Sequence, residues 1–147
     1  MNSSHVHTPL RIYLVEDSAL IRQRLTMLLS NLAGVEVVGW AEDPHSALTG
    51  IAATQADLLV IDLMLVRGSG LTVLRELSAK PHAPVSIVLT NYAIAQFRHE
   101  SIQAGADYFF DKTNEFNLVL DTVQTLADRR ISAAAVGPSA MTAEGTH

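Results

Sequence analysis

The sequence predicts an α/β fold: a five-stranded parallel sheet, strand order 2-1-3-4-5, flanked by five helices. Three observations predict it. Short apolar runs of strand length alternate with helix-period stretches five times between Leu10 and Leu126. The central run, Asp57-Leu58-Leu59-Val60-Ile61-Asp62, has almost no apolar–polar alternation, as expected of a strand covered on both faces. Parallel strands also need long right-handed crossovers, and a helical stretch stands between each pair of strand runs. A length of 147 residues suits a single domain, which commonly takes roughly 100–200.

Each element follows in order. Leu10–Val15 is a β-prone run that stops at Glu16-Asp17. Ser18 is placed to cap a helix whose apolar face is Ile21, Leu25, Leu28 and Leu32, and Gly34 is placed to end it. Arg22 and Arg24 fall on the outward face of that helix. Val35–Trp40 reads as the second strand, and Pro44 suits the first turn of a helix carrying Ala47, Leu48 and Ile51. Asp57–Asp62 is the third strand; Gly68-Ser69-Gly70 breaks the chain before a short helix with Leu71, Leu74 and Leu77. Pro84–Thr90 is the fourth strand, followed by a helix around Ala95–Ala104 that Gly105 ends. Asp107–Phe110 is the fifth, and Phe116, Val119, Leu120, Val123 and Leu126 mark the last helix. Residues 1–8 and 130–147 lack periodicity and read as a disordered N-terminal segment and a disordered tail around a folded unit at 9–129.

Composition narrows the function. Apolar residues make up 48% and charged residues 17% of the chain, which excludes a disordered polymer. Ten basic against fifteen acidic residues give a net charge of −5, without a basic block beyond Arg129-Arg130. A polyanion surface needs clustered cations, so direct nucleic-acid binding is not expected. The chain has no cysteine, which removes thiol chemistry and thiolate zinc sites and agrees with a cytoplasmic location. No signal peptide is visible, and the run Leu58–Val66 is interrupted by Asp62, so no membrane association is expected.

The chemistry collects past the strand ends, where doubly wound sheets bind ligands. Glu16 and Asp17 follow the first strand, Asp62 the third, Thr90 ends the fourth and Lys112 follows the fifth. Glu42 and Asp43 follow the second strand, which this strand order displaces from the centre. Three carboxylates in one shallow pocket repel each other and raise one another's pKa. A hard divalent cation with oxygen ligands relieves that repulsion, and Mg2+ suits such a set. Lys112 is one of only two lysines; with the metal it brings the site close to neutral.

These residues carry a family resemblance. Glu16-Asp17, Asp62, Thr90 and Lys112, within LRIYLVEDSALIRQRL, LLVIDLMLVRGSGLTVLREL and GADYFFDK, resemble the receiver domains of two-component response regulators, a flavodoxin-like fold. The resemblance implies a phosphoprotein in signal transduction, a stand-alone receiver like the chemotaxis regulators. Asp62 would accept a phosphoryl group from a phosphohistidine of a sensor histidine kinase or phosphotransfer protein. Glu16, Asp17, Asp62 and the backbone carbonyl of Met64 would hold Mg2+. Lys112 and the Thr90 hydroxyl would bind phosphoryl oxygens, and Thr90 with Phe109 would switch the face formed by the fourth strand, fourth helix, fifth strand and fifth helix. The chain would promote its own phosphorylation and dephosphorylation rather than act as an enzyme on other substrates. Output would pass to an unidentified protein target or along a phosphorelay; self-association into a homodimer stays open. Val66, Thr113 and Tyr108 depart from residues frequent in the family, and Met64 and Tyr92 flank the phosphoryl position.

Plainer readings stand beside these. Taken singly, Glu16 and Asp17 are solvated strand-end acids, Thr90 a cap, Lys112 a surface lysine and Phe109 a core aromatic. A flavodoxin-type cofactor site would need a Ser/Thr/Gly-rich anion cradle where Glu16-Asp17-Ser18 stands. A haloacid-dehalogenase-type phosphohydrolase would need a second aspartate where Met64 stands. A receiver-like interaction module that is never phosphorylated, and a receiver fragment of a longer regulator with a DNA-binding output domain, remain the alternatives.

Overall fold

Among the described residues strands and helices alternate, except where two short strands stand between the third strand and the third helix. The computed structural model describes residues 8–145, with side chains through Ile131. Five strands, β1 (Leu10–Val15), β2 (Val35–Ala41), β3 (Leu58–Ile61), β6 (Val85–Thr90) and β7 (Tyr108–Asp111), form one parallel sheet. Its order is β2-β1-β3-β6-β7, the 2-1-3-4-5 arrangement expected. Five helices alternate with them: α1 (Ala19–Ser30), α2 (Pro44–Thr54), α3 (Gly70–Ser78), α4 (Ala95–Gln103) and α5 (Phe116–Gly145). The sequence reading lacks one feature, a two-stranded antiparallel ribbon of β4 (Met64–Leu65) and β5 (Gly68–Ser69).

Local chemistry starts the helices. Ser18 Oγ accepts from the Ile21 amide, Asp43 Oδ1 from Ser46 and Ser69 Oγ from Leu71, each satisfying an amide that the first helical turn leaves free. Pro44 occupies the first turn of α2, where a missing N–H costs nothing. α1 ends at Ser30 with Asn31 as its cap, earlier than the expected stop at Gly34, which takes a φ of +74° in the turn leading to β2.

The sheet separates two apolar layers. Ile12, Leu14, Leu58, Val60, Ile87 and Leu89 face α1 and α5, together with Leu25, Leu29, Val119 and Val123. Their strand neighbours Tyr13, Val15, Leu59, Ile61 and Val88 face the other way, with Ile51, Val73 and Leu74 from α2 and α3. Both parities are apolar because both faces are covered.

Two expectations about the termini meet the structure differently. The N-terminal segment 1–8 lies outside the described residues except for Thr8. At the other end α5 continues to Gly145, where the sequence reading places a disordered tail from residue 130. Among the described residues no helix is long and apolar enough to cross a membrane.

Candidate functional site

Strand pairing delivers the acids. The Glu16 amide donates to the Ala41 carbonyl at 3.0 Å, and the Asp62 amide to the Val15 carbonyl at 2.9 Å. Glu16 and Asp62 thus extend β1 and β3 by one rung and emerge side by side at the carboxyl edge. On the opposite flank the Lys112 amide donates to the Thr90 carbonyl at 2.9 Å, continuing β6 and β7 in the same way. Gly70 lies against the site from below: a Cβ there would collide with the Asp62 backbone carbonyl.

The side chains converge. Glu16, Asp17 and Asp62 each offer a carboxylate oxygen, and these oxygens lie within 4.8 Å of one another. Lys112 Nζ donates to Glu16 Oε1 at 2.7 Å and to Asp62 Oδ2 at 2.8 Å. The Ser18 amide donates to Glu16 Oε2 at 3.0 Å, and the Met64 amide to Asp62 Oδ1 at 3.3 Å. Glu16 and Asp62 are buried, and Asp17 is the most accessible of the three. A cleft of about 470 Å³ opens above them, with Met64 and Tyr92 on its rim.

Burial pushes the Glu16 carboxyl above its usual range, and the charge of Asp62 adds to this, against the opposing bonds from Lys112 and Ser18. For Lys112 burial acts downward, but the bonds to Asp62 and Glu16 outweigh it and raise the ammonium above its ordinary value. Three carboxylates against one ammonium leave the cluster short of two positive charges, and its oxygen donors suit a hard divalent cation.

Lys112 is held by a tight turn. The Asp111 carboxylate accepts from the Thr113 amide and the Asn114 side chain, both at 2.9 Å, while Glu115 Oε1 accepts from the Asp111 amide at 2.9 Å. The Thr113 amide is thus committed to the turn rather than to the cleft.

The other residues singled out in the sequence fall at varying distance from the cleft. Thr90 is fully buried beneath it, and its Oγ1 accepts from the Tyr92 amide at 3.1 Å. Phe109 is buried at 5% exposure, with the Arg98 guanidinium carbon 4.7 Å from its ring centre. Asp43 points away to cap α2 and to bind Arg67 at 2.9 Å, and Glu42 is exposed, so the second strand's acids stand apart as expected. Asn91 and Thr113 line the cleft without having been singled out for it; they sit in loops, where no periodicity marks a residue. Arg22 reverses its outward assignment: it is 13% exposed, and its Nη1 donates to the Glu16 carbonyl at 2.9 Å. A second cavity, about 350 Å³ between Leu48, Ile51, Leu77 and Pro84, lies at the opposite sheet edge; Asp57 is the one acid on its wall.

Residues 12–124 match the response regulator receiver domain. The chain belongs to that family. This receiver is 37% identical over 102 residues to protein-glutamate methylesterase/protein-glutamine glutaminase 5 of Myxococcus xanthus, covering 69% of this chain and 29% of that protein. It is 30% identical over 134 residues to the corresponding enzyme 2 of Koribacter versatilis, covering 90% and 36%. The receiver therefore spans about a third of the length of these curated relatives. Among solved structures it resembles the signal receiver domain of Mycobacterium tuberculosis NarL, with a TM-score of 0.75 and 22% identity over 82% of this chain and 97% of that one. It also resembles the response regulator domain of Thermotoga maritima CheB, with a TM-score of 0.72 and 20% identity over 85% and 98%. At such identities these structures show the fold. The receiver thus places an acidic pocket of the phosphoacceptor type at the carboxyl edge of its sheet, and its role is in signalling.

Proposed function

We propose that the chain is a phosphoacceptor whose Asp62 takes a phosphoryl group from the phosphohistidine of a sensor histidine kinase or phosphotransfer protein. The observation that carries the reading is the single cluster of Glu16, Asp17 and Asp62 oxygens with Lys112 bridging two of the three acids. Phosphoryl transfer runs through a loose transition state, so placement and charge neutralisation do most of the work. Mg2+, held by Glu16, Asp17, Asp62 and the Met64 carbonyl, would supply positive charge to the phosphoryl oxygens. An Asp62 oxygen forms the new P–O bond as the P–N bond of the donor breaks; the imidazole leaves with that electron pair and takes up a proton. Lys112 transfers its bonds from the free carboxylate to the phosphoryl oxygens. The Thr90 hydroxyl already accepts from Tyr92 and keeps its hydrogen to donate to the same group.

Phosphorylation adds about one negative charge to Asp62 and three strong acceptors. Thr90 moves toward that group, and Phe109 fills the space it leaves, remodelling the β6–α4–β7–α5 face for a protein target. In this reading the chain acts in the cytoplasm, is consumed and regenerated as a phosphoprotein, and is not a turnover enzyme; the esterase activity in its relatives' names is not carried over. The receiver unit occupies 9–129. A receiver joined to an output domain is a second arrangement, favoured by the 29% and 36% of its relatives' length that the chain covers.

Incubation with acetyl phosphate or phosphoramidate and Mg2+, followed by intact mass measurement, tests the assignment. Wild type is expected to gain one phosphoryl group, and Asp62→Ala and Asp62→Asn none. Equal gain in the variants removes Asp62 from the role, and no gain in wild type favours the unphosphorylated interaction module.

A further inference from the structure

We infer that Arg22 is a positioning residue for the cation pocket, fixing the peptide that joins Glu16 to Asp17. The inference rests on the pocket being a Mg2+ site and adds a residue outside the ligand set. Arg22 lies six residues past Glu16, on the helix face that apolar periodicity assigns to water. The structure turns it inward instead. Its Nη1 donates to the Glu16 carbonyl at 2.9 Å and lies 3.8 Å from Glu42 Oε2, while its Cζ stands 3.8 Å from the centre of the Trp40 ring.

Those partners come from the β1–α1 turn, from β2 and from the segment after it, so the guanidinium ties the turn to the sheet edge. A planar guanidinium can stack on an indole while its in-plane N–H groups reach a carbonyl; a lysine ammonium cannot do both. The Glu16 side chain is already committed at both oxygens, to Lys112 and to the Ser18 amide. Asp17, the most accessible acid of the three, takes its position from the peptide before it. Arg22 holds that peptide.

The sign of the effect separates positioning from charge. Arg22 is a cation close to a cation site, so by Coulomb's law its removal alone favours metal binding. Loss of positioning acts in the opposite direction. Outer-shell partners of ligating groups typically carry 10–100-fold in metal affinity.

The test is Mg2+ titration of the full chain by calorimetry, with emission of Trp40, the single tryptophan, as a second readout. Arg22→Met keeps the stem without the donors, and Arg22→Lys keeps the charge without the planar fork. Both are expected to bind Mg2+ about tenfold more weakly, and the metal-dependent change in Trp40 emission is expected to shrink. Unchanged or tighter binding in variants that fold as wild type overturns the inference and leaves the pocket reading intact. Absence of Mg2+ binding in wild type brings down both. If Arg22→Met does not fold, Arg22→Lys decides by the same criterion.

Discussion

Lys112 Nζ lies 2.8 Å from Asp62 Oδ2, with both side chains 8% exposed. The ammonium that follows the last strand is therefore a resident counter-ion of the acid that ends the central one. Removing one member of a buried pair leaves an uncompensated charge and costs about 3–5 kcal/mol. Here Lys112 serves Glu16 as well, so Lys112→Met is expected to fall at the upper part of that range in urea unfolding without Mg2+. Adding Asp62→Asn to Lys112→Met removes one stranded carboxylate. The double variant is expected to recover part of the loss, with a coupling of about 0.5–3 kcal/mol, as for residues in one network. Additive effects would show that the contact carries no net energy.

Asp43 gives the chain an acid-sensitive element away from the pocket. Hydrogen bonding to Ser46, at the start of α2, and to Arg67 holds its carboxyl below the usual carboxylate range. A depressed carboxylate binds fewer protons in the folded state than in the unfolded one. Its contribution is therefore complete above the unfolded pKa and is lost as pH falls through the folded one. Asp43→Asn is expected to lower the unfolding temperature at neutral pH by a few degrees. The gap to wild type should close below about pH 4, near the unfolded carboxyl pKa. A gap that stays constant down to pH 2 would assign the loss to packing.

Tyr13 fixes a glycine on the neighbouring helix. Its hydroxyl donates to the Trp40 carbonyl at 3.0 Å, and a Cβ on Gly50 would stand 2.6 Å from Tyr13 Cζ and closer still to its oxygen. Two effects oppose each other in Gly50→Ala. Alanine gains about 1 kcal/mol of helix propensity over glycine, while overpacking costs about 1–3 kcal/mol. A contact this short with ring atoms, rather than with a flexible chain end, makes the steric loss larger. Gly50→Ala is expected to destabilise, and Tyr13→Phe not to rescue it, because Cζ remains. Tyr13→Leu in the Gly50→Ala background should recover the helix gain; a stabilised Gly50→Ala single variant would refute the clash.

The sheet and its acids were legible because two-sided burial writes unbroken apolar runs and the chain turns polar where each run leaves the core. Glu16, Asp17, Asp62 and Lys112 stand directly past those boundaries, so locating the strands located the cluster. The β4–β5 ribbon was not legible: two-residue strands have no period, and its turn depends on Arg67 adopting a φ of +59°, which sequence does not announce for arginine. Arg22 was misread for a different reason. Helical periodicity sorts residues by polarity, whereas its burial depends on Trp40 and the Glu16 carbonyl, both outside the helix. Asn91 and Thr113 reach the cleft from loops, where no period marks a residue.

Arg98 bears on the proposed switch. Its guanidinium carbon is 4.7 Å from the Phe109 ring centre, and its Nη1 is 3.5 Å from the Phe109 carbonyl. The ring contact exists with the ring buried, so it favours the inward state over an outward one, whereas the bond to the backbone carbonyl is indifferent to the ring's rotamer. A cation–π contact of this kind contributes about 0.5–1 kcal/mol where partly exposed. Its loss shifts a two-state equilibrium by about two- to fivefold toward the outward ring. Arg98→Ala is therefore expected to increase exchange broadening of Phe109 ring signals in NMR relaxation dispersion, with a stability loss of about 1 kcal/mol. Arg98→Lys should lie between, since an ammonium keeps the charge but not the planar stack. If Phe109 signals are unchanged in Arg98→Ala while stability falls, the arginine braces α4 without holding the ring, and the switch would have to draw its inward bias from core packing alone.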